Sequence, residues 1–187
     1  GVAPLMAALL LTGMGVLRAQ SPVHFNSALH FLQLGEVDSA KKEIDLHFKE
    51  PGADKAADSW YLLGAVYKEM YKKYENENVA SPYRAKAFEA FRPSITLDAS
   101  AESQKLVRDN LRYIALRYYN DAVATLDTVQ YETSVTCYKN YREAVLLVDA
   151  EDGDELGGTL IDPEKLKVEI AALEEYRRLA LSIVDNR

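Results

Sequence analysis

The chain has 187 residues, of which 48% are apolar and 27% charged, a composition typical of one globular domain and not of a disordered segment. The net charge of −7 argues against a nucleic-acid-binding surface, because such a surface needs clustered Lys and Arg to neutralise phosphates. Nine glycines and six prolines are few, which favours a mostly helical chain.

The first nineteen residues differ from everything after them. Residues 1–17, GVAPLMAALLLTGMGVL, carry no charge and are followed by RAQSP. An apolar run that ends in small residues predicts a secretory signal peptide, with cleavage after Ala19. The alternative is a retained membrane anchor, through which residues 1–17 would hold the protein at a membrane, although Pro4 and Gly13 weaken a spanning segment. The style of the processing site indicates a bacterium, so we expect an exported protein in the periplasm or at the periplasmic face of the outer membrane.

The domain that remains, residues 20–187, contains one cysteine, Cys137. One cysteine cannot form an internal disulfide, so in an oxidising compartment the fold depends on its core. We interpret Cys137, which lies in a helical stretch, as a small buried apolar side chain.

Apolar residues recur at helical spacing in seven segments of this domain. The segments are 22–34, 36–48, 56–78, 82–97, 102–127, 131–148 and 163–184. Gly35 ends the first helix, Pro82 occupies the first turn of the fourth, and Pro93 kinks or frays the end of the fourth. The acidic, glycine-bearing stretch 149–162 is a loop. No segment alternates as a strand does, so the predicted fold class is all-α.

The segment 60–74, WYLLGAVYKEMYKKY, places a glycine in the middle of an aromatic stripe. The stripe consists of Trp60, Leu63, Gly64, Tyr67, Tyr71 and Tyr74. Glycine costs roughly 1 kcal/mol against alanine inside a helix. We therefore predict that another helix backbone passes too close to Gly64 for a side chain.

These residues carry a family resemblance. Trp60-x-x-Leu-Gly-x-x-Tyr67, followed by Ala87-x-x-x-Phe91, resembles the signature of the tetratricopeptide repeat (TPR), whose units are helix hairpins. Two looser units have the family spacing of twelve residues, from Ala28 to Ala40 and from Ala122 to Ser134. The resemblance implies an array of about three hairpins, closed by 163–184 as a capping helix. It also implies that the two helices of each hairpin come closest at Ala28, Gly64 and Ala122.

The units are irregular. Gly64 follows Ala28 by 36 residues, near the family period of 34, but Ala122 follows Gly64 by 58. From Gly64 to Ala87 is 23 residues, so the second unit has about eleven extra residues between its helices. This inserted region has more Lys and Arg than Glu, counting Lys68 and Arg84 among its cations, whereas 149–162 is acidic. Such asymmetry is either ordinary surface or a means of orienting an assembly or steering an acidic partner.

The resemblance also implies a binding surface. In TPR proteins the first helix of each hairpin lines a concave groove, and its non-core side chains contact partner peptides. The matching positions here are Phe25, Leu29, Tyr61, Lys68, Tyr119 and Val123. Tyrosine suits such a surface because it offers a large contact area with a polar tip.

No catalytic, cofactor or metal motif is present in the sequence. His24, His30 and His47 do not form an HExxH motif, and we interpret them as surface or partly packed histidines. Residues 151–158, EDGDELGG, do not fit the EF-hand pattern, because Gly153 is not at the sixth position of a suitable loop. An enzyme would need several carboxylates or histidines converging in one pocket, and the sequence designates no such set.

We therefore expect a non-enzymatic scaffold of the bacterial cell envelope that binds partner proteins, themselves envelope proteins, through a TPR-like groove. We expect no nucleic-acid partner and no cofactor. An alternative is a permanent accessory subunit of a larger membrane-associated assembly, with the N-terminal segment retained as its anchor. A minor alternative is an enzyme of an unrecognised helical type.

Overall fold

The computed structural model describes residues 23–97, 101–148 and 163–185 and is all-α over these ranges. Its helices are α1 (Val23–Gln33), α2 (Val37–His47), α3 (Ala57–Tyr74), α4 (Pro82–Leu97), α5 (Ala101–Asp127), α6 (Tyr131–Val148) and α7 (Pro163–Asp185), with a 3-10 turn at Ala53–Lys55. The predicted signal peptide or anchor and the predicted loop 149–162 lie outside the described residues. None of the helices within the described ranges has the length and apolar character needed to cross a membrane.

The first hairpin, α1 and α2, turns at the predicted glycine. Gly35 has a positive φ of 74°, its N–H donates to the Leu32 carbonyl at 3.0 Å, and the Glu36 N–H donates to the Phe31 carbonyl at 2.9 Å. These two bonds form a Schellman motif, which ends α1 and satisfies two of its last carbonyl groups. The very short turn makes α1 and α2 neighbours.

The second hairpin, α3 and α4, packs around Gly64, but its close neighbour is a ring. A Cβ built on Gly64 would lie 2.6 Å from Cε1 and 2.7 Å from Cδ1 of Phe91. The prediction that a helix backbone excludes a side chain here is therefore wrong. The Phe91 side chain of α4, which is fully buried, occupies the space that Gly64 leaves.

The extra residues of this hairpin lengthen α3 and form its turn. α3 is 18 residues long against 11 for α1, and it ends at Tyr74 instead of the predicted 78. In the turn 75–81, the Ser81 hydroxyl accepts a hydrogen bond from the Arg84 N–H at 3.2 Å, as an N-cap does. Pro82 then begins α4 as predicted, and α4 continues past Pro93 to Leu97.

The third hairpin, α5 and α6, brings its small residues together as the repeat resemblance implies. The Ser134 hydroxyl of α6 donates to the Ala122 carbonyl of α5 at 2.8 Å, and both residues are fully buried. α5 also ends in a Schellman motif, because the Gln130 N–H donates to the Thr125 carbonyl at 2.8 Å. The left-handed residue of this motif is Val129, with φ 65°.

Two clusters of buried side chains form the core. One lies between α1, α2 and α3, and the other between α4, α5, α6 and α7. Tyr67 of α3 packs against both clusters and so joins them. α7 contributes Ile170 and Leu173 against α6. Some apolar residues at helical spacing are exposed in the structure, including Tyr74 of the aromatic stripe and also Leu106, Tyr176 and Leu179.

Candidate functional site

The first helices of the three hairpins, α1, α3 and α5, form a row. α1 contacts α3 directly. Lys68 of α3 donates from Nζ to Asn110 Oδ1 of α5 at 2.6 Å, and Arg117 of α5 donates from Nε to the Tyr71 hydroxyl of α3 at 3.0 Å. All six predicted binding residues lie on these three helices, two on each.

One of the six, Leu29, is exposed, and the other five, including Lys68, are partly buried. Leu29 on α1 is 38% exposed. Lys68 on α3 is held by Asn110 and by Glu69, whose Oε1 lies 3.1 Å from the Lys68 ammonium. The Lys68 cation is therefore fixed in position between α3 and α5, with its charge offset by a neighbour on its own helix.

The other four, partly buried like Lys68, share their surface with the second helix of their own hairpin. They are Phe25, Tyr61, Tyr119 and Val123. The ring centroid of Tyr61 lies 6.1 Å from that of Phe91, and that of Tyr119 lies 5.3 Å from that of Tyr141. Such aromatic packing restricts the rings, so these side chains form a rigid part of the row.

Leu116 on α5 belongs with this set, and the sequence reasoning missed it. It is 36% exposed and precedes Tyr119 and Val123 by three and seven residues, which places all three on one face of α5. Its spacing of three and seven residues from the predicted positions Tyr119 and Val123 could have identified it from the sequence.

A buried polar cluster joins the second hairpin to α5. Arg84, 1% exposed, donates from Nη1 to Asp121 Oδ2 at 2.5 Å and from Nη2 to the Val79 carbonyl at 2.5 Å. Its guanidinium carbon lies 4.1 Å from the centre of the Tyr118 ring. Burial lowers the pKa of Arg84, but its bond to Asp121 outweighs that effect, so the net shift is upward. Arg84 is thus a core residue, and it does not contribute to the surface charge of the inserted region.

Tyr71 is the second centre of this cluster. Its hydroxyl, on a fully buried residue, accepts from Arg117 and donates to the Asn76 carbonyl at 3.1 Å. Arg117 also donates from Nη2 to the same carbonyl at 2.5 Å. The turn 75–81 is therefore tied to α5 through its backbone, which fixes the long hairpin relative to the row.

A second polar arrangement lies at the junction of the first and second hairpins. His47, the last residue of α2, is 4% exposed, and its Nε2 lies 2.8 Å from the hydroxyl of Ser59 in the first turn of α3. Its Nδ1 lies 2.9 Å from Glu50 Oε2. The interpretation of the histidines as surface or partly packed residues is wrong for His47, which is a buried member of a serine–histidine–glutamate chain.

A pocket of about 360 Å³ lies beside these three hydrogen-bonded side chains. Its lining includes His47, Ser59 and Glu50, together with Phe25 and the turn 51–53. The ring of Phe25 meets that of His47 edge-on, with centroids 5.5 Å apart, and fixes the orientation of the imidazole.

Cys137 is 3% exposed, as predicted for a small buried side chain. Burial raises the pKa of its thiol to about 11, with a smaller lowering effect from Arg84. A thiol in this state has little thiolate at neutral pH and is a poor nucleophile.

Among the described residues, no group of three or more His, Cys, Asp or Glu is arranged to hold a metal ion. Comparison of the chain with models of protein families, with curated proteins and with solved structures gives no match.

Proposed function

We propose that this protein is a scaffold of the bacterial cell envelope that binds partner proteins through the row of α1, α3 and α5, without transforming them. The observation that carries the proposal is the row itself, in which Leu29 and Leu116 expose apolar surface on helices fixed by buried side chains. The resemblance to a TPR array also supports this proposal, because in TPR proteins the first helices of the hairpins line the groove that binds partners.

Rigidity is what makes the row suitable for recognition. The bonds from Lys68 to Asn110 and from Arg117 to Tyr71 hold α3 against α5 before any partner arrives. A surface that is already ordered loses little conformational freedom on binding, so most of the ordering cost falls on the partner.

The alternative of a permanent accessory subunit is favoured by a different observation. On α7, Val168, Tyr176 and Leu179 are 71%, 60% and 44% exposed and lie on one face by their spacing. This face is separate from Ile170, which packs on α6. Apolar surface of this kind marks protein contact sites, and a lasting assembly would cover it.

The experiment that tests the proposal is purification of the full chain from its native membranes in mild detergent, with mass analysis of what co-elutes. Leu29→Asp and Leu116→Asp are compared with Leu146→Asp, a control leucine that is 50% exposed on α6. We expect the two row variants to release a partner that the control retains. Retention by all three variants would overturn the assignment of the row, and a chain that elutes alone would exclude the permanent-subunit alternative.

A further inference from the structure

The three side chains Ser59, His47 and Glu50 are hydrogen-bonded in the order found in an activated serine nucleophile. The Ser59 hydroxyl is 2.8 Å from His47 Nε2, and Glu50 Oε2 is 2.9 Å from Nδ1 on the other side of the ring. When Nδ1–H donates to Glu50, Nε2 presents its lone pair to the serine hydroxyl. A nucleophile, a base within hydrogen-bond reach and a third group that orients the base are the parts that such chemistry needs.

From this geometry we propose a second activity, beyond the scaffold function: Ser59 attacks small acyl esters in the adjoining pocket and hydrolyses them. The pocket, about 360 Å³ in volume, is lined by Ser59 and His47, so the reacting groups face the space where a substrate would lie. That volume is at the small end of ligand sites and suits a short acyl group.

The N-terminus of α3 supplies donors at the same place. Its N-cap residue, Ala56, has no side chain that can cap, and Ala56 and Asp58 both line the pocket. The Ser59 N–H donates to the Ala56 carbonyl at 3.2 Å, but the N–H groups of Ala57 and Asp58, the first two residues of α3, have no acceptor inside the helix, and the helix dipole favours negative charge near them. These groups would stabilise the oxyanion that forms when the serine attacks a carbonyl.

The reaction balances with water as the only co-reactant. The Ser59 oxygen bonds to the ester carbonyl carbon, its proton passes to His47 Nε2, and the carbonyl electron pair moves to oxygen. Collapse of this intermediate breaks the bond to the alkoxy oxygen, which leaves as an alcohol with the proton from Nε2. Water then attacks the acylated serine, gives its proton through Nε2 back to the Ser59 oxygen, and releases the carboxylic acid.

The charges of the pocket select among esters. Glu50 and Asp58 are carboxylates in the lining, and the lining residues include no Lys or Arg. Anionic esters are therefore repelled, and neutral or cationic esters are favoured.

The test exposes the full chain to a neutral alkyl fluorophosphonate and to p-nitrophenyl acetate. We expect one phosphonyl adduct, on the peptide that contains Ser59, and loss of ester turnover in Ser59→Ala. The control Ser134→Ala removes a buried serine that bonds to a carbonyl instead of a histidine, and it should leave the adduct unchanged. His47→Gln should slow labelling about 100-fold, whereas His24→Gln, which removes an imidazole paired with Glu43 but with no serine partner, should leave the rate unchanged.

Glu50 acts through His47 and is a positioning residue. Glu50→Gln should lower the maximal labelling rate while the half-saturating concentration of the fluorophosphonate stays constant, and Glu50→Asp should restore part of the rate. A purely structural role would not separate these two quantities.

The proposal is overturned if the folded wild-type chain gains no adduct on Ser59, or if ester turnover survives in Ser59→Ala. If Ser59→Ala does not fold, the position of the adduct on the wild-type chain decides. Neither outcome bears on partner binding by the row, which is tested separately.

Discussion

Replacing Gly64 with alanine tests how closely α3 and α4 pack. The added methyl carbon would lie 2.6 Å from Phe91 Cε1, whereas ordinary contact begins near 3.4 Å, so the ring would have to move by about 0.8 Å. Phe91 is fully buried, so its ring cannot move out into solvent. Overpacking of this kind costs about 1–3 kcal/mol, and alanine returns about 1 kcal/mol of helix propensity. We expect a net loss of about 1 kcal/mol in the free energy of unfolding.

A double-mutant cycle with Phe91→Leu separates the two effects. With the ring removed, Gly64→Ala should become stabilising by up to about 1 kcal/mol, which gives a coupling free energy of about 2 kcal/mol between the two sites. The assay is urea unfolding at equilibrium, with Trp60 fluorescence as the signal. Ala171→Gly, at an exposed site inside α7, calibrates the propensity term in the same protein. Stabilisation by Gly64→Ala in the wild-type background would refute the reasoning.

Three further predictions concern strain, buried charge and the thiol. Val129→Gly should stabilise the chain by about 1 kcal/mol, because a β-branched residue is strained at φ 65°; the reciprocal Gly35→Val, at φ 74°, should destabilise it by a similar amount, and thermal unfolding of both variants provides the check. Asp121→Ala should cost about 3 kcal/mol in urea unfolding, because it leaves the Arg84 guanidinium buried without its carboxylate; a loss no larger than that of the surface variant Asp109→Ala would contradict this. Cys137 should react with a disulfide reagent at pH 8 only at the rate of unfolding. The folded-state pKa of its thiol, about 11, is above the ordinary value of 9.0, so the contribution of the buried thiol to the free energy of unfolding is complete below pH 9 and is lost as the pH rises towards 11. A reaction of the native protein with the reagent at pH 8 that is complete within seconds would contradict the burial of Cys137.

The helices could be predicted from the sequence because each of the hairpins has a strong 3.6-residue period and clear end signals. Gly35 and Pro82 lie at helix ends in the structure as the sequence indicates. α7 shows the limit of this reasoning. Its apolar residues occupy two faces, and the periodicity alone does not determine which face packs on α6. In the structure Tyr176 and Leu179 lie on the solvent-exposed face.

The polar arrangements could not be predicted, because they join residues that are far apart in the sequence. Arg84 and Asp121 are 37 residues apart and meet only once the long hairpin packs on α5. Ser59 follows His47 by twelve residues, and the turn 48–56 between their helices has no pattern that specifies a hydrogen bond across it. A lysine-and-arginine-rich insert looks like surface in the sequence, although one of its cations, Arg84, is among the least exposed side chains described.

The most direct test of the central claim is site-specific photo-crosslinking in native cells. A photoreactive amino acid is placed at Leu29 or Leu116 on the row, and at Leu146 on α6 as the control, three leucines of comparable exposure. If partner proteins bind to the row, both row positions should crosslink to the same protein, and Leu146 should not. A folded chain that crosslinks from Leu146 and from neither row position would contradict the account.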